Sequence, residues 1–457
     1  MNNIFDKLKN YSDSDYYAFH MPGHKRNLDL MDGTSPYRID ITEIDGFDDL
    51  HHAEGILRDA QERAARVYHA DETHFLVNGS TVGILSAILG TTEKGDSILV
   101  ARNCHKSVYH AIYLNELDPV YLYPKFDTEQ GLSTEIDVAD VQKALEEHPK
   151  IRAVMIVSPT YDGVVSDIEK IAEIVHAKGC PLIVDEAHGA HFGFDPYFPK
   201  SANIYGADLV INSLHKTLPA LTQTALLHVN GDMVKRRKVK QYLDMLQTSS
   251  PSYILMASID ACIGMLEETL ETHSDARPDY KYKNIFSEYA NRIEALRKDL
   301  KRLKYLKIIQ TDNTDRYDRS KFVISVKHAP MSSHELYEIL LHRYHLQMEM
   351  LAGTYVLAMT TVGDTQEGLD RLRDALLEID KEIDTKQGRP AAIETDLPLS
   401  GRQPALEKVW TIAEAVNRRD KIQKRSFEDS IGCISVEYAY LYPPGSPLIV
   451  PGERITK

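Results

Sequence analysis

A lysine set among small hydrogen-bonding side chains, Ser213-Leu214-His215-Lys216-Thr217, follows the short apolar run Ala207-Asp208-Leu209-Val210-Ile211. Upstream, Pro181-Leu182-Ile183-Val184 leads into Asp185-Glu186-Ala187-His188. Both runs read as buried strands that deliver a chemical group at the carboxyl end, where open α/β sheets carry their ligands. An amine and a carboxylate so placed are the pair that pyridoxal phosphate requires. The lysine forms a Schiff base, and the anion keeps the pyridine nitrogen protonated so that the ring accepts electrons. Taken singly, Asp185 would be a helix cap and Lys216 a solvated surface group, as most lysines are. The residues around them favour the chemical reading.

Asn78-Gly79-Ser80-Thr81-Val82-Gly83 follows the strand-like Thr73–Val77 and opens an apolar helix. A glycine turn with hydroxyls at a helix N-terminus offers free N–H groups to an anion, and Ser80, Thr81 and Val82 would line it. It lacks both the Walker A lysine and the full Gly-x-Gly-x-x-Gly pattern, which disfavours a nucleoside triphosphate or a dinucleotide. Simple N-capping by Ser80 or Thr81 is the alternative. Arg102-Asn103-Cys104-His105 places an imidazole after the strand Ser97–Val100, where it can stack on a flat heterocycle or merely cap a helix. The spacing Asp185-x-x-His188-x-x-His191 permits a metal, yet no His-Glu-x-x-His helix is present and none is assigned. Small Ala187 suits a position beneath a ring, and His188 suits contact with substrate.

These groups need a scaffold. Strand-like runs Thr73–Val77, Ser97–Val100, Val120–Tyr123, Ala153–Val157, Pro181–Val184, Leu209–Ile211 and Ala225–Val229 alternate with helical patterns. One helix is expected to start at a capping box, Ser166-Asp167-Ile168-Glu169. Such alternation implies an α/β fold with a mainly parallel seven-stranded sheet covered by helices. Long amphipathic helices are expected around 254–272 and 284–304. A smaller α/β unit follows, with strands Phe322–Val326 and Val356–Thr360 and helices near 333–343 and 366–383. Residues 385–403 read as a linker, Ala405–Val416 as a last helix, and Tyr442–Glu453 as a Pro/Gly-rich tail. The organisation expected is an irregular N-terminal arm (1–50), a large cofactor-binding domain (51–255), interdomain helices with a small α/β domain (256–385), and a C-terminal segment (386–457).

The chain has 457 residues, 43% of them hydrophobic, enough for a substantial core. A net charge of −15 argues against nucleic acid or an anionic membrane face as partner. Four scattered cysteines without a Cys-x-x-Cys, and no signal-like or membrane-spanning apolar run, lead to the expectation of a soluble cytoplasmic protein.

Taken together, the motifs resemble the Orn/Lys/Arg decarboxylases, bacterial fold-type-I pyridoxal-phosphate enzymes. The resemblance rests on Phe19-His20-Met21-Pro22-Gly23-His24-Lys25, Asp48-Asp49-Leu50-His51-His52 and Asn78-Gly79-Ser80-Thr81. It continues through Arg102-Asn103-Cys104-His105-Lys106-Ser107, Asp185–Ala190, Ser213–Thr217 and Pro443-Pro444-Gly445…Pro451-Gly452-Glu453. It implies pyridoxal 5'-phosphate as cofactor, Lys216 as its Schiff-base lysine, Asp185 as partner of the pyridine nitrogen and His105 stacked on the ring. It also implies Ser80, Thr81 and Ser213 near the phosphate, with His215 close by. A hydroxyl of Thr248-Ser249-Ser250-Pro251, Ser250 in particular, would reach the phosphate in the neighbouring subunit of a homodimer or higher homo-oligomer. Glu453 would face the distal cation of the substrate.

This chain departs from the family pattern in several places. It is expected to lack the N-terminal wing domain of the large enterobacterial members, and Val82 and Ile84 stand where many short members have Ser and Asn. Leu351-Ala352-Gly353-Thr354 is less polar than usual, and Ser446 replaces Ile or Val. The implied reaction is decarboxylation of a basic amino acid, arginine or lysine ahead of ornithine, as in polyamine biosynthesis. Transamination or cofactor binding without turnover are the alternatives, because one Lys/Asp core serves many chemistries.

Overall fold

Seven apolar runs assemble into one sheet: β1 (Glu72–Leu76), β2 (Ser97–Ala101), β3 (Asp118–Leu122), β4 (Ile151–Val157), β5 (Leu182–Asp185), β6 (Leu209–Asn212) and β7 (Ala225–Val229). They lie in the order β1-β7-β6-β5-β4-β2-β3. β7 runs antiparallel to both neighbours, and the other pairs are parallel. This computed structural model describes residues 13–30, 36–270, 281–309, 316–385, 405–418, 422–441 and 445–456. Every residue of β5 and β6 is buried, because helices cover both faces of a parallel sheet. All seven expected strands are present, Ala225–Val229 with both ends as expected and the others shifted by at most two residues at an end.

Helix α1 (Gly79–Thr91) packs unusually close. A Cβ added at Gly83 would sit 2.7 Å from Leu76 Cδ1, and one at Gly90 would sit 2.7 Å from Val239 Cγ2. Glycine therefore lets α1 press onto the sheet on one side and onto helix Arg236–Leu246 on the other. Helix α3 (Ile168–Ala177), after α2 (Lys106–Leu114), is capped differently from expectation. Asp167 is the N-cap, accepting from Lys170 N, while Ser166 Oγ accepts from Ile136 N at 3.1 Å.

A second, antiparallel sheet orders β8 (Lys307–Ile308), β9 (Lys321–Ser325), β10 (Met350–Leu351) and β11 (Tyr355–Met359) as β8-β9-β11-β10. The N-terminal arm is mostly irregular, yet Tyr17–Phe19 pairs in parallel with Leu346–Met348. One apolar core runs through Phe19, Leu218, Phe322 and Leu336, joining the arm, the Lys216 turn and the second sheet. Ala405–Val416 is corrected: only Ile412–Val416 is helical, and Val409 N instead donates to Gly452 O at 2.9 Å. The linker from 386 to 403, and Pro443 and Pro444 of the tail, lie outside the described residues.

Candidate active site

The carboxyl ends of β2, β4, β5 and β6 converge on a cavity of about 740 Å³, at the sheet edge where parallel folds hold ligands. Asp185, the last residue of β5, lines it and is 3% exposed. Its carboxylate accepts from Ala187 N at 3.1 Å. Burial raises the pKa of Asp185, and the charge of Lys216 opposes that rise. The next side chain, Glu186, is buried apart from the cavity and tied to Ser201, Ala202 N and Asn212. Strand alternation selects Asp185, not Glu186, for the cavity.

Lys216 sits in the one-turn helix α4 (Leu214–Thr217) that follows β6, and its amine lines the same cavity. Burial lowers its pKa, with Asp185 and Glu349 pulling it back up. Nζ lies 3.0 Å from His188 Nε2. His188 is itself buried, held well below its usual pKa by that burial and by neighbouring lysines, and packed on the Tyr161 ring at 4.6 Å. His105 caps α2 and faces the cavity. Its Nδ1 takes the Ser107 N–H at 3.3 Å, and burial holds it neutral with a pKa of about 4. His215 donates Nδ1–H to Thr224 O at 2.9 Å, and burial likewise lowers it to about 4. Ala187 lines the cavity beside them, and His191 pairs with Asp318 at 3.1 Å.

The glycine turn expected to bind phosphate does open a helix after a strand, although the details of its cap differ. The N-cap of α1 is Asn78, and no side chain caps the helix. Asn78 Oδ1 accepts from Thr248 N instead. Ser80 lines the cavity, Thr81 is exposed, and the buried Val82 side chain belongs to the core, so only its backbone can serve a ligand. Ser213 Oγ is fully buried and has no hydrogen-bond partner among the described residues. Such an orphan donor is costly unless a ligand completes it. Thr248, Ser249 and Ser250 are exposed and do not line this chain's own cavity.

Glu453 requires a correction. It is 0% exposed and does not line the cavity. Its two oxygens bind Arg102 through Nε at 3.2 Å and Nη2 at 2.8 Å, and Val450 N donates to Oε2 at 2.9 Å. Arg102 also donates to Pro447 O and Leu448 O. The pair therefore clamps the tail against the end of β2, and both carboxylate oxygens are already taken by Arg102 and Val450 N. Glu453→Gln should cost about 3 kcal/mol of stability in urea unfolding, because the Arg102 charge stays buried with a weaker partner. A variant with unchanged stability and a raised KM would restore the substrate role.

Three functional candidates escaped the sequence. Lys321, at the start of β9, is 0% exposed with Nζ 3.3 Å from His188 Nδ1. Asp162 lines the cavity, accepts from Tyr355 OH at 2.6 Å, and is pushed up to about 6 by burial. Tyr161 donates to Glu349. A lysine before an apolar run reads as a solvated flank, and Asp162-Gly163 reads as a turn. No pattern marked either.

A buried amine and a strand-end carboxylate facing one cavity, beside an uncapped helix N-terminus and an orphaned serine, suit pyridoxal phosphate. Residues 2–340 match the family model "Orn/Lys/Arg decarboxylase, major domain". The chain belongs to the Orn/Lys/Arg decarboxylase family and is a pyridoxal-phosphate-dependent decarboxylase of a basic amino acid. It is 36% identical to the uncharacterized protein YaaO of Bacillus subtilis over 462 residues, covering 99% of this chain and 92% of that one. It is 31% identical to the arginine decarboxylase of the same organism over 463 residues, covering 99% and 91%. The Francisella novicida lysine decarboxylase LdcF superposes with a TM-score of 0.77 at 19% identity, over 99% of this chain and 74% of that one, and shares the fold. No helix among the described residues is long and apolar enough to cross a membrane.

Proposed function

We propose that the enzyme removes the α-carboxylate of arginine in preference to lysine or ornithine, with Lys216 as the cofactor-bearing amine. The observation that carries this is the opening of Lys216 and Asp185 onto one cavity. When bound, pyridoxal phosphate supplies the electron sink for the pair released as CO₂ leaves. Asp185 provides the fixed negative charge that keeps a ring nitrogen protonated. His105, neutral and fixed by Ser107, would pack against the ring, and Ser80, Ser213 and the N–H groups of α1 would hold the phosphate. Lys216 is placed to carry protons between His188 and the reacting carbon. Relatives named arginine decarboxylase match along almost the whole chain, which supports arginine first. A CO₂-release assay across arginine, lysine, ornithine and neutral amino acids tests the reading; turnover of a neutral amino acid alone would sink it.

With Glu453 committed to Arg102, Asp162 is the cavity carboxylate left to receive the distal cation. Only its ionised form pairs with a guanidinium. Its carboxyl sits near 6, so KM for arginine should fall as pH rises from about 5 to about 7. Asp162→Asn should raise KM roughly tenfold or more and flatten that dependence, because a buried substrate charge loses its partner. An unchanged KM profile in that variant places cation recognition elsewhere.

Transamination is disfavoured by the same geometry. Arg102 is the arginine lining the cavity among the described residues, and its guanidinium is already filled by Glu453 and two carbonyls. No cavity guanidinium remains there to grip an α-carboxylate that must instead depart. The exposed Thr248–Ser250 stretch, beside Asn78, supports a homodimer that completes the phosphate site in trans. Sedimentation should find at least a dimer at micromolar concentration, and a fully active monomer would refute it. The buried free thiols of Cys104, Cys180 and Cys262 support a reducing, cytoplasmic setting.

A further inference from the structure

His188 stands between two lysines. Nε2 lies 3.0 Å from Lys216 Nζ, and Nδ1 lies 3.3 Å from Lys321 Nζ. A neutral imidazole has one N–H and one lone pair, so it can accept from one ammonium and must donate to the other amine. Both lysines therefore cannot be ammonium ions against a neutral His188. Two arrangements satisfy the trio. In one, Lys216 is an ammonium donating to Nε2 and Nδ1–H donates to neutral Lys321. In the other, Nε2–H donates to neutral Lys216 and ammonium Lys321 donates to Nδ1.

We propose that Lys321 is a positioning residue that stores the proton Lys216 must shed before it can act as a nucleophile. The proton on Lys216 Nζ passes to His188 Nε2 while Nδ1–H passes to Lys321 Nζ. One proton has then moved between the amines, and no charge has entered or left the site. Lys216 needs its lone pair to condense with the cofactor aldehyde, a step that releases water. The reverse shift returns the proton when the amine is freed.

The surroundings suit this store. Lys321 is 0% exposed and does not line the cavity, so His188 separates it from the space that a ligand fills. Its amine makes its hydrogen bond among the described residues to His188 alone. Asp318, three residues away, favours a charged Lys321 but keeps its own hydrogen bonds with His191 and Ser320 N. Glu349, held by Tyr161 and Met21 N, raises both lysines. On the large-sheet side Asp185 favours a charged Lys216, and His105 and His215 are held neutral by burial. Lys25, also buried, opposes charge on Lys321, as does Lys216, and Asp162 on the cavity wall feels the field of Lys321. Burial lowers Lys321 to about 8, within reach of a proton exchange near neutrality.

This rests on Lys216 being the cofactor-bearing amine, and the test separates the two claims. Cofactor-stripped full-length protein is mixed with pyridoxal phosphate, and borohydride-trapped cofactor is followed against pH. Lys321→Met should move the midpoint of the incorporation rate up by about one pH unit, making it roughly tenfold slower at neutral pH and recovering in alkali. Lys321→Arg keeps a cation that cannot give up its proton, which locks Lys216 neutral. Its rate should stay fast and lose most of its pH dependence. A Met profile that superimposes on the parent overturns the proposal. So does an equal loss in both variants at every pH, which marks a structural role. Lys216→Ala serves as the control: trapping that survives there defeats the assignment of Lys216 itself, whatever Lys321 does.

Discussion

Lys216→Ala should give a folded protein that traps no cofactor under borohydride and decarboxylates at least roughly 10⁴-fold more slowly, since it loses both covalent anchor and proton carrier. Folding should survive, because the substitution removes a buried charge whose desolvation opposes its ionised form. Two neighbours will register the loss. Asp185 loses the cation that opposes its upward shift, and His188 Nε2 loses its 3.0 Å partner. The phosphate site proposed at α1 is untouched by the substitution, so non-covalent pyridoxal phosphate should remain detectable by dialysis. Covalent trapping in the variant, found by peptide mapping at another lysine, would relocate the chemistry.

Asp185→Asn tests the other half of the pair. The amide oxygen can still accept from Ala187 N, so β5 and its turn should keep their geometry. What disappears is a fixed negative charge in a site where water cannot replace it. A loss of about 3 kcal/mol or more in transition-state stabilisation follows, roughly 10²–10³-fold in kcat. KM should change far less than kcat, because the charge acts on developing electron density more than on substrate binding. Turnover within a few-fold of the parent would show that the ring nitrogen is held some other way.

The strands that deliver these groups were legible because parallel strands buried on both faces spell themselves as short apolar runs, and β5 ends in a carboxylate that breaks the run. Lys216 and Asp185 were legible as a pair for the same reason. The glycine turn opening α1 was legible in position, but not in the absence of a side-chain cap, since Asn78 turns away to Thr248. Lys321, Asp162 and the Arg102–Glu453 clamp were hidden. Each depends on contact between segments far apart in the chain, such as the 351 positions separating Arg102 and Glu453. Local pattern carries no record of such contacts. Glu453 shows the cost most plainly: an acid in a Pro/Gly tail reads as available, and only the packed structure reveals that its charge is spent.

The N-terminal arm has a mechanical consequence. Gly23 N donates to His215 O at 2.7 Å, and Thr361 Oγ1 donates to Gly23 O, so one residue grips both the Lys216 turn and the end of β11. A Cβ there would lie 2.7 Å from Leu218 O, which leaves glycine as the residue that fits. Two residues on, Lys25 Nζ holds the carbonyls of His20 and Met359 at 2.8 Å each, while Tyr17–Phe19 runs beside Leu346–Met348. The arm thus ties the second sheet to the turn that carries Lys216. The position of Lys216 is therefore set in part by the second sheet, which the arm fastens to the lysine's turn through Gly23.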